Sequence, residues 1–395
     1  MAKISGSICN AGESMTSEYR ICTRCLMDTS DPEIVFDDQG VCNHCYDYDR
    51  LVSQKVLEGK AGQQYLERLV EKVKRDGQKK PYDCIIGVSG GVDSTYVAYL
   101  VKKMGLRPLA VHMDNGWDSE LAVKNIEETL KRLGIDLYTE VLDWEEFKDI
   151  QVAMLKASTP DSEVPSDHAI NAVLGDIADK LKVKYIISGA NVRTETHLPR
   201  AWSYGHFDWK YIRTVHKKFG SRPLKSFPHI GFFTYYRRLL THRRIDLLNY
   251  IDYNKNEAMQ ILQNELGWRY YGGKHYESIY TRFYQGYILP SKFGFDKRRS
   301  HLSSLICSGE ITREAALREL DKPTYSPTMQ EEDREYVVKK LGLTDEQFEA
   351  IMEAPKKTFW DYPSYSRVLE GPLFEGLYIF ARDMYRLRQK RQNQE

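Results

Sequence analysis

The chain has 395 residues, 42% hydrophobic and 29% charged, with a formal net charge of +1. That length supports two or three domains and a sizeable core. The near-neutral balance argues against general nucleic-acid binding, so any anionic partner has to be met by local patches. No signal peptide is expected in the first twenty residues and no run of eighteen apolar residues occurs, which reads as a cytoplasmic protein without a membrane span.

Residues 1–18 are small and polar and read as a mobile start. Two C-x-x-C knuckles follow, Cys22-Thr23-Arg24-Cys25 and Cys42-Asn43-His44-Cys45. Their spacing matches a zinc ribbon over residues 19–50, and four thiolates suit a closed, tetrahedral, structural Zn2+ site. Between them Ile34, Val35 and Phe36 precede the turn residues Asp37 to Gly40, as in a small hairpin. His44 is either a competing ligand or an outer hydrogen-bond partner. Residues 46–80 carry a polar helical pattern interrupted at Gly59 and Gly62, so 51–81 is expected to be a helical linker. Its breaker-rich end, Arg75 to Pro81, marks a domain boundary.

From Tyr82 strands and helices alternate, which predicts an α/β domain over 82–265 with a parallel sheet and helices on both faces. Cys84-Ile85-Ile86-Gly87-Val88 reads as a buried strand; Tyr96, Val97, Leu100, Val101 and Met104 mark a helix. Between them lies Ser89-Gly90-Gly91-Val92-Asp93-Ser94. A glycine turn opening a helix aims backbone N–H groups at one point, where the helix dipole favours an anion. Asp93 would repel bare phosphate, so it implies a divalent cation such as Mg2+. The loop is neither a Walker A motif nor a dinucleotide fingerprint. It resembles the PP-loop of the ATP pyrophosphatases, a group that includes GMP synthetase, NAD synthetase, asparagine synthetase and tRNA-thiolating enzymes. The resemblance implies that Ser89, Gly90, Gly91, Val92, Asp93 and Ser94 hold the pyrophosphate of ATP while the α-phosphorus is attacked, giving AMP and pyrophosphate.

A second strand, Pro108 to Asp114, exits through Asp114-Asn115-Gly116-Trp117; helix 119–133, strand 137–142 and helix 144–157 follow. Ligands of open parallel sheets sit beyond the strands' carboxyl ends, which puts Asp114 and Trp117 beside the same crevice. The resemblance assigns this loop to the nucleoside of ATP; a plain surface turn is the alternative. Loop 160–168 leads into a helix expected over 168–182, with His168 at its start, and residues 151–200 contain no cysteine. Strand 184–188 runs into Gly189, Ala190 and Asn191, then Arg193 and Glu195. This segment resembles the nucleotide-contacting one of NAD synthetase, where Arg193 would meet phosphate and Glu195 magnesium; a solvated helix start is the alternative. Residues 200–240 interleave aromatics with Lys and Arg, a mixture that suits base or sugar stacking, a protein interface, or a tyrosine-rich core. Residues 245–265 read as one helix.

Residues 267–299 are dense in Gly, Lys, Arg and aromatics. Gly272-Gly273 permits close backbone approach to a ligand, and Lys274, Lys292, Lys297 and Arg298 are candidates to neutralise departing pyrophosphate or bind a second anionic substrate. Helices are expected at 311–320, 329–341, 344–353 and 372–391, which makes 266–395 a mostly helical substrate or partner region.

The Cys-four ribbon, a PP-loop without a downstream thiol, and the stretch Gly272-Gly273-Lys274-His275-Tyr276-Glu277-Ser278 to Asp296-Lys297-Arg298-Arg299 together resemble the N-acetyl sugar amidotransferases of bacterial O-antigen and nonulosonic-acid pathways. The resemblance implies that an acetamido oxygen of an activated sugar attacks ATP, an O-adenylyl imidate forms, and ammonia displaces AMP to leave an acetamidino group. Asp93, Lys274, Lys292, Lys297 and Arg298 would act in catalysis. No glutaminase domain is recognisable, so ammonia is expected from separate glutaminase and cyclase-like partner subunits, as in imidazole glycerol phosphate synthase. The runner-up is a PP-loop tRNA sulfurtransferase, with Cys84 and Cys307 as its lone candidate thiols; a third reading is a non-catalytic ATP-binding scaffold.

Overall fold

The computed structural model describes residues 18–273, 276–324 and 326–369. Lys274, residues 1–17 and the helix expected at 372–391 lie outside the described residues. In chain order the regular elements are α1 (Asn43–Lys55), α2 (Gly59–Gly77), β1 (Cys84–Gly87), α3 (Val92–Lys103), β2 (Pro108–Asp114), α4 (Glu120–Leu133), β3 (Asp136–Val141), α5 (Trp144–Ala157), α6 (Val164–Leu181), β4 (Tyr185–Ser188), α7 (Val192–Glu195), α8 (Trp209–Phe219), α9 (Phe232–Thr241) and β5 (Arg243–Asp246). Then come α10 (Lys255–Leu266), α11 (Ile279–Phe283), a π-helical stretch (Tyr284–Phe293), α12 (Arg298–Cys307), α13 (Arg313–Leu320), α14 (Pro327–Lys340) and α15 (Asp345–Glu353).

The five strands form one parallel sheet in the order β3-β2-β1-β4-β5. Side chains alternate across it. Cys84, Ile86 and Ala110 join Leu69, Val73, Val97, Ile126 and Leu262 on one face; Ile85, Leu109 and Val111 meet Val173 and Ile177 of α6 on the other. Both faces are therefore covered by helices, the usual condition for an all-parallel sheet. The chain winds outward from β1 to β3, then returns to the far side of β1 as β4. That reversal opens a crevice beyond the carboxyl ends of β1 and β4.

Three local expectations need correction. Residues 245–265 are not one helix: Arg243–Asp246 is a fifth strand, followed by a 3-10 turn and then α10. Ile245 alone of that strand is fully buried, while Arg243 and Arg244 stay partly accessible. This is the charged, short design of a sheet edge, and it carries too few apolar residues to announce a strand. The helix expected at 168 starts at Val164, with Pro165 in its first turn, where a missing N–H costs nothing. Gly62 does not break the preceding helix. It lies inside α2, where a Cβ would fall 2.3 Å from the Leu57 carbonyl oxygen and 2.8 Å from that of Tyr250.

The ribbon is fastened to the helical C-terminal region. Leu26 packs with Leu302 and Ala316, its N–H donates to Ser303 Oγ at 3.0 Å, and Arg313 donates to the carbonyls of Cys22 and Cys25. Arg299 pairs with buried Asp28 at 3.0 Å. Among the described residues no helix is long and apolar enough to cross a membrane.

Candidate active site

Gly90 adopts φ +77°, open to glycine and strained for other residues, and a Cβ there would sit 2.7 Å from the Ala122 carbonyl oxygen. The chain thus turns sharply out of β1, and Gly91 becomes the cap residue of α3. Ser94 Oγ ties the loop together: it accepts from the Ser89 N–H at 3.2 Å, lies 3.2 Å from Ser89 Oγ, and reaches the Gly91 carbonyl. Trp268 Nε1 donates to the Gly90 carbonyl at 3.0 Å from outside. Gly189, just after β4, fits against the start of α3, where a Cβ would meet the Asp93 carbonyl carbon at 2.9 Å.

The crevice encloses about 1180 Å³, more than the roughly 300–1000 Å³ of an ordinary small-molecule site. It has room for a nucleotide and a second substrate. Ser89, Val92, Ser94, Gly189, Glu195, Lys297 and Arg298 line it. Among the described residues, Asp93, Asp114, Arg193 and Lys292 do not line it. The Asp93 carboxylate accepts from the buried Tyr253 hydroxyl through Oδ1. Asp114 holds its own exit turn, accepting from the Gly116 N–H at 2.8 Å. Arg193 pairs with Glu58. Lys292 is buried, and its ammonium donates to the Ile351 carbonyl near the end of α15; burial pushes its pKa down to about 8, helped by neighbouring Lys356. Arg298 faces the crevice but is spent on Asp296 and on the carbonyls of Glu319 and Leu320 at the end of α13. Lys297 makes no hydrogen bond or ion pair among the described residues, so its charge is available to a ligand.

The opposite wall was not read from the sequence. Ser203 Oγ donates to Asp161 Oδ2 at 2.5 Å, and His206 Nε2 lies 3.1 Å from the same oxygen, with Asp167 at 3.5 Å. Burial alone would lower the His206 pKa; the Asp161 and Asp167 carboxylates outweigh it and raise the value to about 9. Burial would likewise raise Asp161, but its contact with His206 holds it below the usual carboxylate range. The pair is therefore ionic at neutral pH. His168 positions it. Fully buried, with its pKa lowered to about 4 by desolvation, it donates from Nδ1 to the His206 carbonyl at 2.7 Å and accepts from the Ile230 N–H at 2.9 Å. A clasp from the C-terminal region fixes the acidic loop: Tyr284 and Tyr280 hydroxyls meet the Ser162 N–H and Oγ, and Gln285 donates to Glu163. The same region pairs with the exit of β2, through Ser119 N–H to Glu277 O at 2.8 Å and Ile279 N–H to Trp117 O at 3.0 Å. Trp117 itself is almost wholly buried, its Nε1 on Gln151. The aromatic stretch at 200–240 is divided: Trp202, Trp209, Tyr211 and Phe227 are buried, with Trp202 stacked on Phe295 at 4.3 Å, whereas no residue of α9 is buried and Phe233 is exposed.

The loop's outward donors and the crevice volume fit ATP. The Glu195 carboxylate in the crevice offers a hard oxygen donor of the type Mg2+ takes. In the ribbon, Sγ–Sγ separations are 3.6 Å for Cys25–Cys42 and 3.8 Å for both Cys22–Cys45 and Cys42–Cys45. Tetrahedral zinc with Zn–S of about 2.3 Å demands about 3.8 Å. The four buried thiols are poised for such an ion.

Residues 277–375 match the family described as LPS biosynthesis protein WbpG-like, C-terminal domain, and residues 63–170 match NAD synthase. An uncharacterised protein of Methanocaldococcus jannaschii is 24% identical over 280 residues, 68% of this chain and 82% of that protein. The tRNA(Ile)-lysidine synthase of Chlamydia pneumoniae is 39% identical over 77 residues, 18% of this chain; the match spans 24% of the synthase's length. The NH3-dependent NAD synthetase of Campylobacter jejuni aligns over 75% of this chain and 98% of that one at 13% identity and a TM-score of 0.30, too slight a likeness to bear on the fold. By these matches the chain is related to the PP-loop ATP pyrophosphatase superfamily and carries a region similar to the WbpG-like, lipopolysaccharide-associated domain.

Proposed function

We propose that this enzyme converts an acetamido group of an activated bacterial sugar to an acetamidino group, with ammonia delivered by a separate glutaminase. The observation that carries this reading is the WbpG-like region, which joins the crevice at the exit of β2, pairing residues 277–279 with 117–119. The crevice has room for two substrates. The amide oxygen attacks the α-phosphorus of ATP and expels pyrophosphate. Backbone amides at the start of α3 and the Ser89 and Ser94 hydroxyls take up the charge of the leaving group. Ammonia then adds to the imidate carbon, AMP departs with the former amide oxygen, and one proton is lost from nitrogen. With Asp161 paired to His206, Glu163 and Asp167 supply the remaining negative charge on that side of the crevice, which suits ammonium arriving and the amidinium product forming.

Among the described residues no thiol lines the crevice, as the sulfurtransferase reading would need. Cys84 is fully buried in β1, where desolvation raises its pKa, and Cys307 faces the ribbon. The test is purified protein with magnesium-ATP, ammonia and a panel of acetamido nucleotide sugars or, in parallel, tRNA. Sugar-dependent release of AMP and pyrophosphate in equal amounts is expected. Release that depends on tRNA alone, or ADP and orthophosphate as products, would sink the proposal.

A further inference from the structure

Cys307 was a lone thiol in the sequence, and in the fold it is not alone. It ends α12 beside the ribbon, and its Sγ, the Sγ of Cys45 and a ring nitrogen of His197 all lie within 4.8 Å of one another. His197 follows α7 and is fully buried. Its tautomer can be read from its neighbours. The one proton of Ser304 Oγ goes to the Ser300 carbonyl at 3.2 Å, so towards His197 that oxygen accepts. It takes the His197 N–H at 3.3 Å and the Nδ1–H at 3.0 Å. The Nε2 lone pair is left facing Cys307 Sγ at 3.6 Å. A nitrogen and a sulfur on one tetrahedral zinc, at about 2.0 and 2.3 Å, stand about 3.5 Å apart. A ligating imidazole whose other nitrogen is anchored by a hydrogen bond is the usual support for such a donor.

We infer that Cys45, His197 and Cys307 form a second zinc-class cation site, with the Cys45 thiolate bridging to the ion of the Cys-four ribbon. A thiolate bound to one cation keeps further lone pairs for another, so Cys45 need not leave the ribbon. The three protein donors leave a fourth position to solvent, on the side where Cys307 is partly accessible. The ion would pin three elements: α1 through Cys45, the segment after α7, and the end of α12. Thr194 and Glu195 of α7, and Ser300, His301, Leu302 and Leu305 of α12, line the crevice. The second ion therefore ties the ribbon to one side of the active site without touching substrate.

The test counts metal and needs no activity. Full-length protein saturated with zinc and freed of loosely bound ion should contain two zinc per chain. Cys307→Ser and His197→Gln should each contain one, with the Cys-four ion retained. Exhaustive chelation of the wild type should release its two equivalents at separate rates, a measurement independent of any variant's folding. One zinc per chain in the wild type overturns the inference. So does a second zinc that persists in both variants, since it would then sit elsewhere.

Discussion

One wall of the crevice comes from a single turn, Ser89 to Ser94, which lines it through Ser89, Val92 and Ser94, whereas the opposite wall gathers Asp161, Ser203, His206 and Lys297 from separate segments. The first wall is backbone geometry: glycines, a helix start and short hydroxyls, all dictated by local sequence. The second is side-chain chemistry held by long-range contacts, with His168 behind His206 and Tyr280, Tyr284 and Gln285 around the acidic loop. On the proposed reading, the nucleotide chemistry is carried by one contiguous turn, while acceptor recognition depends on the whole tertiary structure.

The sharpest break of that contrast is at Gly90. Gly90→Ala forces a left-handed conformation costing about 1–2 kcal/mol and drives a Cβ into the Ala122 carbonyl. Pyrophosphate release should fall at least about a hundredfold, with ATP binding lost. Near-normal ATP affinity in this variant would mean that the turn does not hold the phosphates. Next comes the ribbon. Cys42→Ser should release the Cys-four zinc and lower the melting temperature sharply, because Leu26, Arg299 and Arg313 tie the ribbon to α12 and α13. Unchanged metal content and melting would refute the zinc reading.

The acceptor wall should respond differently. Asp161→Asn ought to reduce sugar-dependent turnover about ten- to a hundredfold while ATP affinity stays within about twofold; a parallel loss of ATP binding would show that the two walls are not separable. The ion pair also predicts a pH signature. The folded His206 pKa, about 9, stands above its ordinary 6.5. Its stabilisation is therefore complete below about pH 6.5 and fades as pH rises through about 9. The melting temperature should drop across that interval, and Asp161→Asn should flatten the drop. An equally steep decline in the variant would assign the titration to another group.

Those outcomes also measure what could be read in advance. The parallel sheet, the nucleotide loop and the Cys-four ribbon were legible because each is written in local pattern: apolar runs, adjacent glycines, paired cysteines. Strand β5 was not, since a four-residue edge strand with two arginines has no period to detect. The Asp161 and His206 cluster gave no signal beyond a short acidic loop and one histidine among many aromatics; long-range contacts through His168 and the C-terminal region hold them in place. His197 and Cys307 are separated by more than a hundred residues, and nothing in spacing pairs them.

Basic residues show the same divide at its smallest scale. Lys292 and Lys297 both belong to the dense stretch after Gly267, and nothing in sequence distinguishes their roles. In the fold the π-helical turn buries Lys292 and sends its ammonium to the Ile351 carbonyl, whereas Lys297 enters the crevice. Lys297→Ala should slow turnover about tenfold or more by removing an unpaired charge from the site. Lys292→Met keeps the aliphatic stem, removes a costly buried ammonium and leaves one carbonyl near the end of α15 without that donor. Opposing terms of about 1–3 kcal/mol each should leave stability shifted only modestly and turnover within about twofold of the wild type. A large loss of turnover in Lys292→Met at unchanged melting temperature would mean that this lysine leaves its carbonyl to meet substrate, and that the boundary between structural and catalytic cations drawn here is misplaced.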